Sequence, residues 1–577
     1  WLSGSSLNYY YFGHYLIAWL IRLTGSDPAV GYNAAVALTF GVTAAAVFGV
    51  TASLASFVGG ERTSPRRLIS AGLLGVAFAM LLGTLATVGE LEHARHSLLG
   101  FRWWQPSRVI PHTANDFPFY SVLLGDLHAH VIAVPFSLLL VAFAINLAAR
   151  GPRLPSRTVP GRTVAAATEL VLAALVLGAL AATNSFAAPA AVAIGVGGAL
   201  IWGASSARWA AALIWIGVWA AVAFLLFLPF VLRFHPGTHG IGLVNTHSSA
   251  RRFVWNEFLV YGALAGALAP LYVLRLRRLS LSRRQAVPAV AASIAVLTLA
   301  VVLGAGVALL VAVALAVGWH AAIDEHARVT ERCLWLVVAL GATAALIGEL
   351  VYVRDVFDSG PDYRFNTVFK FGYQAWYLLA VGAAVTVATT TIGRTSWPAR
   401  AWLAAVIALG VAAAVYPLAG SYSASAGFAT NPTLDGVRWL KMRSPDDLAA
   451  IQWIQANVRG QPTILEATGA DYDPLGHGRV SVFTGLPTVL GWLGHELQWN
   501  HRPGNRWDDV HTIYATESLP EARRLLDRYR VRYVFAGSLE ERDYPGRGLA
   551  KFARLGKAVF VRGRTRVYRV DPVVNGS

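Results

Sequence analysis

Long apolar runs, separated by short loops, occupy the first 420 residues of the chain. Most runs contain about 18–25 residues, which is long enough to cross a hydrocarbon core of roughly 30 Å. They predict about twelve membrane-spanning helices, at residues 31–58, 68–89, 127–149, 164–183, 187–204, 207–232, 257–275, 287–303, 304–319, 333–352, 371–392 and 401–420. The two runs within 287–319 are nearly continuous, so a single re-entrant hairpin is an alternative there. Residues 9–24 are shorter and rich in aromatic side chains, which predicts a juxtamembrane helix.

After residue 420 the pattern changes to short alternating segments. DDLAAIQWIQANV and LPEARRLLDRY have helical periodicity, whereas PTILEA, VRYVFAG and KAVFVRGRTRVYRV are strand-like. The sequence therefore predicts an all-α, polytopic membrane domain followed by an α/β domain. The predicted divisions are an external segment with the juxtamembrane helix at 1–30, the membrane domain at 31–420, a linker at 421–432 and the α/β domain at 433–577.

The composition excludes several classes of protein. Only 14% of the 577 residues are charged, against about a quarter in soluble proteins, which excludes a soluble globular enzyme and a disordered chain. Cys333 is the single cysteine, so a disulfide scaffold is excluded as well. Most of the net charge of +17 comes from residues 1–420, where the basic residues lie mainly in short loops rather than in one basic stripe, which argues for membrane orientation and against nucleic-acid binding.

The arginines fall on alternate loops between the predicted spans. They are Arg62, Arg66, Arg67, Arg150, Arg153, Arg157, Arg162, Arg275, Arg277, Arg278, Arg283, Arg284, Arg394 and Arg400. Basic loops face the cytoplasm, so the loops 90–126, 233–256 and 353–370 and the C-terminal α/β domain are expected outside a plasma membrane. The chain starts with Trp1 in a polar, aromatic segment, and we expect a further span upstream.

The loop 90–126 and the residues after it contain the first group of candidate residues. Ionisable groups beside a bilayer are costly and therefore functional candidates. Asp126 and His130 are four residues apart and share one face of a helix, whereas His128 is expected to point away. A carboxylate with an imidazole can bind a divalent metal or transfer protons. In the alternative interpretation, Asp126 caps the helix and the histidines make interfacial hydrogen bonds.

The segment 349–370 contains the second group. Arg354, Arg364, Asn366 and Lys370 combine two guanidiniums, an amide and an ammonium near a membrane face, which predicts a clamp for a phosphate or pyrophosphate. The alternative is that the cations snorkel to lipid headgroups.

Three weaker candidates come from the other loops. The loop 235–256 contains His235, His239 and His247 around a glycine-rich segment, which is typical either of a mobile loop over a site or of a plain external loop. Asn184 lies in a short TNSF turn. In the α/β domain, the segment 491–499 contains Trp492, His495 and Glu496, which predict either a sugar-like acceptor site or a surface that rests on the membrane. A zinc-protease motif is excluded because position 499 is Trp.

Several longer segments together resemble a known family. They are NYYYFGHYL (8–16), FRWWQPSRVIP (101–111), FPFYSVLLGDLHAHVIAVPF (117–136), TNSF (183–186), YRFNTVFKF (363–371) and SVFTGLPTVLGWLGHELQW (481–499). These segments resemble the YYY family, functionally uncharacterised multi-pass membrane proteins of bacteria and archaea. The family is named for a tyrosine triplet, here Tyr9, Tyr10 and Tyr11.

The layout of this family is similar to that of the GT-C superfamily, whose members transfer sugars from polyprenyl-phosphate carriers. The resemblance implies such a donor, an unknown acceptor and an essential acid in an external loop. The first such acid would precede Trp1. The second maps to the loop 90–126, where Asp126, supported by His128 and His130, is favoured over Glu90, Glu92 and Asp116.

The resemblance implies roles for further residues. Trp103, Trp104 and Tyr9–Tyr11 are expected to stack on sugars or to anchor the interface, and Arg354, Arg364 and Lys370 to hold the donor phosphate. A divalent cation, Mg²⁺ or Mn²⁺, on Asp126 and His130 is compatible with this chemistry but not required. Two other classes remain open, a transporter of lipid-linked saccharides and a non-catalytic envelope scaffold.

Overall fold

The computed structural model describes residues 1–60, 63–153, 160–244, 250–278, 306–390, 396–429, 431–473 and 476–571. Its contacts divide the chain into two units. The helical unit consists of Tyr10–Leu232 and His239–Leu434, and the α/β unit consists of Trp1–Tyr9, Arg233–Thr238 and Asp435–Ser577. Some predictions lie outside the described residues, namely the span at 287–303, His247, and the loop arginines Arg62, Arg157, Arg283, Arg284 and Arg394.

Within the described ranges, nine helices are long and apolar enough to cross a membrane. They are Pro28–Gly59, Ala129–Arg150, Pro160–Thr183, Ser185–Ser206, Trp209–Leu226, Arg252–Arg278, Val329–Glu349, Phe365–Thr390 and Trp397–Ala424. Each overlaps one of the predicted spans. The remaining helices of this unit are Phe12–Thr24, Pro65–Val76 with a π-helical extension Ala77–Leu81, Thr87–His93, Pro118–Leu124, Leu228–Val231 and Gly306–Ile323. The full count of twelve spans stays a prediction.

Two segments differ from the predicted pattern for local reasons. The predicted span 68–89 is interrupted at Leu82, where the backbone becomes extended (φ −82°, ψ 141°). The last helix of the unit continues to Ala424, so it overlaps the start of the predicted linker 421–432. The predicted juxtamembrane segment forms the helix Phe12–Thr24, whose Tyr15 is 59% exposed.

The helix Phe365–Thr390 forms the centre of the helical unit, because 89% of its most apolar stretch is buried. Small residues allow this close packing. A Cβ added at Gly382 would lie 2.5 Å from Cγ2 of Val338, so a larger side chain there would push two helices apart. The first turns of this helix contain two of the candidate site residues, Asn366 and Lys370.

A short antiparallel strand pair joins two loops of the helical unit. Strand β1 (Ile241–Leu243) pairs with β2 (Val351–Val353). Outside the ladder, the N–H of His239 donates to the carbonyl of Arg354 at 2.9 Å. The loop 235–256 is thereby attached to the segment 349–370, which carries the predicted phosphate clamp.

The α/β unit contains one four-stranded sheet. Its strands are β3 (Thr463–Leu465), β4 (Val531–Ala536), β5 (Lys557–Arg562) and β6 (Thr565–Arg569) in the spatial order β3-β4-β6-β5. The pair β3/β4 is parallel and the other pairs are antiparallel. The helices are Arg438–Arg443, Pro445–Asn457, Arg479–Thr484, Leu493–Gln498, Arg506–Ala515, Leu519–Arg528, Ser538–Asp543 and Phe552–Leu555. Every strand and both helices expected from the sequence are present.

The N-terminal residues belong to this α/β unit. Leu2 forms a parallel bridge with Thr488, and the N–H of Ser3 donates to the Thr488 carbonyl at 2.9 Å. The side chain of Leu2 is part of the apolar core of the unit. The sequence analysis had grouped these residues with the juxtamembrane helix instead.

Candidate functional site

The backbone turns sharply where the main candidate residues lie. The helix Pro118–Leu124 ends at Gly125, whose φ of 70° is the left-handed conformation that glycine adopts without strain. Residues 126–128 are not helical, and the next helix begins at Ala129 with His128 at its N-cap (φ −82°, ψ 156°). Asp126 is therefore not the residue at the cap of this helix.

This turn brings one carboxylate and two imidazoles together. Oδ1 of Asp126 lies 3.7 Å from Nδ1 of His128, and Oδ2 of Asp126 lies 4.0 Å from Nε2 of His130. One ligand atom from each residue can be chosen so that all three lie within 4.8 Å of one another. The expectation that His128 points away was wrong, because it assumed a helix that in fact starts three residues after Asp126.

His130 is the most deeply placed member of the group. Its side chain is fully buried, with ring centroids 4.7 Å from Phe369 and 4.4 Å from Tyr373. Neither ring nitrogen has a hydrogen-bond partner among the described residues. A buried polar group without a partner is costly, so this imidazole is placed as a ligand donor would be.

The donor set discriminates between the cations that were expected. Two imidazoles and one carboxylate suit a divalent transition metal with open coordination positions. Mg²⁺ instead requires near-octahedral oxygen ligands. Asp126, His128 and His130 therefore fit Mn²⁺ or Zn²⁺ better than Mg²⁺.

Lys370 supplies a positive charge beside this group. Its side chain is buried, and Nζ lies 4.3 Å from the centroid of the Phe369 ring. No carboxylate oxygen of the described residues lies within 4 Å of Nζ. The charge of Lys370 nevertheless acts on both Asp126 and Asp116. Asp116 is held by Arg108, whose Nη1 lies 2.8 Å from its Oδ1.

Burial and charge set the proton affinity of the two carboxyls. Burial and the neighbouring charge of Asp116 raise the pKa of Asp126 to about 7, and Lys370 opposes this shift. Burial also raises the pKa of Asp116, against the opposing charge of Arg108. A carboxyl with a pKa near neutrality is suited to proton transfer at physiological pH, so Asp126 has both the position and the proton affinity of a general base.

Two of the three competing acids of the first loop, Glu90 and Glu92, are engaged elsewhere. Glu90 is buried and accepts two hydrogen bonds from Arg102, at 2.9 and 2.8 Å. Glu92 is exposed and forms an ion pair with Arg95. Neither belongs to the group of possible metal ligands around Asp126.

The predicted phosphate clamp is largely paired with acidic residues. Nη1 of Arg364 lies 2.5 Å from Oε1 of Glu349, and Nδ2 of Asn366 donates to Oδ2 of Asp355 at 2.8 Å. Arg354 is half exposed and lies 4.0 Å from Asp358. Of this predicted set, Lys370 is the cation placed beside Asp126. Sequence spacing could not indicate these pairings, because each acid was available to several cations.

The aromatic candidates of the helical unit are only partly exposed. The rings of Trp103 and Trp104 meet edge to face at 6.1 Å, and Trp103 also packs 5.8 Å from Tyr120. Trp104 is 47% exposed. Tyr11 contacts Phe230 at 6.2 Å. Tyr10 belongs to the same unit.

The aromatic candidates of the α/β unit form a continuous row. Trp492 and His495 pack at 5.2 Å, His495 and Trp499 at 5.8 Å, and Trp499 and Tyr9 at 5.2 Å. Tyr472, which the sequence analysis missed, packs on Trp492 at 4.9 Å and is 66% exposed.

Glu496 does not join this row. It is buried, and an oxygen of its carboxylate lies 2.5 Å from Nδ1 of His501. The predicted trio of Trp492, His495 and Glu496 is therefore divided between a surface and a core.

The weaker candidates His235 and Asn184 differ in their contacts. The backbone N–H of His235 donates to Oδ1 of Asn8 at 2.9 Å, within the α/β unit. Asn184 is fully buried, and neither atom of its amide has a hydrogen-bond partner in the described ranges.

A cavity of about 350 Å³ lies between two loops of the helical unit. Arg108 and His112 contribute from one loop, and Phe357, Asp362 and Phe365 from the other. Nδ1 of His112 lies 3.3 Å from Oδ1 of Asp362. The sequence analysis gave no role to these residues, because contacts between loops have no periodic signal.

Comparisons with known proteins identify a family. The family described as Uncharacterized membrane protein (DUF2298) matches residues 1–379. No curated protein matches the chain. Among solved structures, an oligosaccharyltransferase from Archaeoglobus fulgidus, tethered with an acceptor peptide, is similar with 12% identity and a TM-score of 0.43. The similarity covers 93% of this chain and 61% of that chain, so the chain spans about three fifths of its length.

Proposed function

The chain belongs to the membrane-protein family DUF2298, and we propose that it transfers a sugar from a polyprenyl-phosphate donor to an acceptor at the outer face of the membrane. One observation carries this proposal. Asp126, His128 and His130 converge beside Lys370, where the helices Ala129–Arg150 and Phe365–Thr390 begin. A carboxylate, two imidazoles and an ammonium at the end of membrane helices suit a substrate whose carrier is a lipid and whose leaving group is a phosphate.

Asp126 is the general base in this proposal. Its carboxylate takes the proton of the acceptor hydroxyl, while the acceptor oxygen forms a bond to the anomeric carbon of the sugar. The bond between that carbon and the phosphate oxygen breaks, and the phosphate leaves with the electron pair. Asp126 suits the role because its pKa of about 7 gives it a substantial affinity for the proton while leaving a large fraction ionised at neutral pH.

Lys370 is the residue that stabilises the leaving group. Charge accumulates on the phosphate as the glycosidic bond breaks, and a fixed cation in a dry site lowers the energy of that state. Arg364 and Asn366 shape the surrounding segment through Glu349 and Asp355. Arg354 is half exposed, and its proposed role is to attract the donor phosphate.

The donor set also accommodates a divalent metal. Asp126, His128 and His130 would hold it, and it would supply a positive charge that polarises a phosphate oxygen. The base role of Asp126 belongs to the metal-free site, because a bound cation lowers the pKa of its carboxylate ligand. Without the metal, Asp126 accepts the proton and Lys370 stabilises the phosphate.

The sugar and the acceptor have their own candidate surfaces. Trp103 and Trp104 are proposed to contact the donor sugar or the interface. The row from Trp492 to Tyr9 is proposed to contact the acceptor, because aromatic faces pack well on the C–H faces of sugars. The orientation expected from the loop arginines puts both surfaces outside the plasma membrane.

A second function is favoured by a separate observation. Glu257 lies in the candidate span Arg252–Arg278, and its Oε2 is buried without a hydrogen-bond partner in the described part of the chain. Glu349 and Arg364 are close enough for their charges to act on it. Ionisable groups within spans often mark the path of an ion or substrate, so a transporter of lipid-linked saccharides is the alternative.

A transfer assay separates the two functions. Full-length protein in sealed proteoliposomes is incubated with radiolabelled polyprenyl-phosphate sugars and membrane extract. We expect label to reach an acceptor, and Asp126→Asn to lower the rate at least a hundredfold, with Glu325→Gln, an exposed acid far along the chain, as the matched control. If labelled lipid crosses the bilayer without transfer, and Glu257→Gln stops the crossing, the transporter replaces the enzyme.

A further inference from the structure

The cavity between the two external loops has the features of a phosphate site. Its volume is about 350 Å³, and its walls come from residues 108–113 on one side and from 357–365 on the other. Arg108 is the guanidinium in its lining, and Phe365 begins a candidate membrane span. The cavity is therefore at the boundary between a loop region and the membrane helices.

Arg108 is fixed in a way that leaves part of it available. Its Nη1 donates to Oδ1 of Asp116 at 2.8 Å and to the carbonyl and Oγ of Ser107 at 2.8 and 2.7 Å. All three of these bonds use Nη1 rather than Nε or Nη2. The guanidinium also interacts with Tyr120, whose ring centroid lies 5.8 Å from Cζ of Arg108. The side chain is 39% exposed. A guanidinium held at one nitrogen is preorganised to bind an oxyanion in a bidentate manner through its other edge.

The other walls indicate what accompanies the anion. Phe357 and Phe365 pack at 5.7 Å and give the cavity an aromatic side. Across it, the side chains of His112 and Asp362 approach each other from the two loops, with Nδ1 of His112 3.3 Å from Oδ1 of Asp362. His112 has a φ of 58°, which is uncommon for a residue other than glycine. The backbone at His112 therefore adopts an uncommon conformation, and the imidazole reaches Asp362 of the opposite loop.

We infer that this cavity binds the phosphate of a lipid carrier, with Arg108 as the bidentate ligand of the phosphate. This inference rests on the proposed function, because that function supplies the lipid-linked donor. The apolar rings and the adjacent membrane helix favour a lipid phosphate over a soluble one. Asp116 connects the cavity to the catalytic group, since it pairs with Arg108 and also interacts with Lys370 and Asp126. The charge of a phosphate on Arg108 would thus act on the same group of residues as Asp116.

The test measures binding without any reaction. Full-length protein in nanodiscs is titrated with polyprenyl phosphate, with the uncharged polyprenol and with inorganic phosphate. We expect polyprenyl phosphate to bind at least tenfold more tightly than either. Arg108→Gln should weaken its binding about 10- to 100-fold, the loss typical of charge-assisted hydrogen bonds. The matched control is Arg95→Gln, an exposed arginine of the same loop region.

Two further variants guard against misfolding. Arg108→Gln leaves the buried Asp116 carboxylate without its partner, which destabilises proteins. The double variant Arg108→Gln/Asp116→Asn removes both charges and should show the same loss of binding. Arg108→Lys keeps a charge for Asp116 but lacks the second edge, so it should also bind weakly.

The outcomes separate this inference from the proposed function. Unchanged binding in the Arg108 variants, or an equal loss in Arg95→Gln, overturns the inference even if sugar transfer is observed. Inorganic phosphate that binds as tightly as polyprenyl phosphate overturns the lipid assignment. Arg108-dependent binding of polyprenyl phosphate without any sugar transfer supports the inference and counts against the enzyme.

Discussion

The arrangement of Asp126, His128 and His130 depends on one glycine. Gly125 adopts a positive φ, which ends one helix and delays the next until Ala129. Had the helix continued through residue 126, only the i, i+4 pair would share a face. The non-helical turn places His128 near Asp126 as well, so the site has three possible ligands rather than two.

The group of Asp126, His128 and His130 should bind a divalent transition metal. We expect purified protein to bind one Mn²⁺ with a distinct electron paramagnetic resonance spectrum, and Mg²⁺ to compete poorly for it. His130→Ala should weaken Mn²⁺ binding at least tenfold, because no other described donor replaces the buried imidazole. His326→Ala, at an exposed histidine, is the control. Equal affinity in His130→Ala and wild type would remove the metal from this site.

The residue scale also shows where sequence reasoning reached its limit. The sequence identified Asp126 and His130 from their spacing, and it identified Lys370 as a member of the predicted phosphate clamp. It did not find that Glu349 neutralises Arg364, or that Arg108 and Asp116 form a pair. These pairings depend on contacts between distant segments, and a single sequence considered alone contains no local signal for them.

At the scale of elements, a buried ionic network holds the α/β unit together. Nη2 of Arg479 lies 2.9 Å from Asp447 and 2.8 Å from Glu540, and all three side chains are buried. Asp447 also accepts hydrogen bonds from the hydroxyls of Ser538 and Thr565. Three helices and strand β6 therefore meet at one carboxylate.

Removal of this guanidinium should destabilise the α/β unit strongly. Arg479→Met leaves two carboxylates buried without a counter-charge, at a cost of about 3–5 kcal/mol. Hydrogen exchange of peptides from strand β4, measured in the full-length protein, reports the loss. Arg564→Gln removes a fully exposed partner of Glu541 and should change the exchange little. Comparable exchange in both variants would show that the network adds nothing to stability.

The same network predicts a dependence on pH. Burial opposes ionisation of Asp447, but Arg479, Ser538 and Thr565 outweigh it and hold the pKa below its ordinary value. The unfolded chain then binds more protons, so the stabilisation is complete above roughly pH 4 and is lost as the pH falls below it. After correction for the intrinsic pH dependence of amide exchange, the protection of the same peptides should fall at low pH in the wild type. In Asp447→Asn this part of the pH dependence should disappear, and an unchanged profile would contradict the assignment.

The accuracy of the sequence prediction differed between local and distant structure. DDLAAIQWIQANV became the helix Pro445–Asn457, and KAVFVRGRTRVYRV became the hairpin β5/β6, because their periodicity is local. The bridge between Leu2 and Thr488 joins residues from opposite ends of the chain. Nothing in the N-terminal residues themselves indicated that pairing.

For the whole molecule, the decisive question is which side of the membrane holds the site. Basic loops remain in the cytoplasm because their translocation is disfavoured. On this rule we expect Arg66 and Arg153 inside, and the loop 90–126 and the α/β unit outside. A site on the outer face would meet its lipid-linked donor only after that donor has crossed the bilayer.

Cysteine labelling tests this orientation with low background, because Cys333, the single native cysteine, is buried. New cysteines are introduced at exposed positions, as Arg66→Cys, Arg153→Cys, Ser97→Cys and Arg564→Cys. In intact cells, a membrane-impermeant maleimide should label Ser97→Cys and Arg564→Cys only, whereas all four should react after permeabilisation. The reverse pattern would move Asp126 and its neighbours to the cytoplasmic face. The donor would then be used where it is made, and a flippase step before transfer would no longer be required.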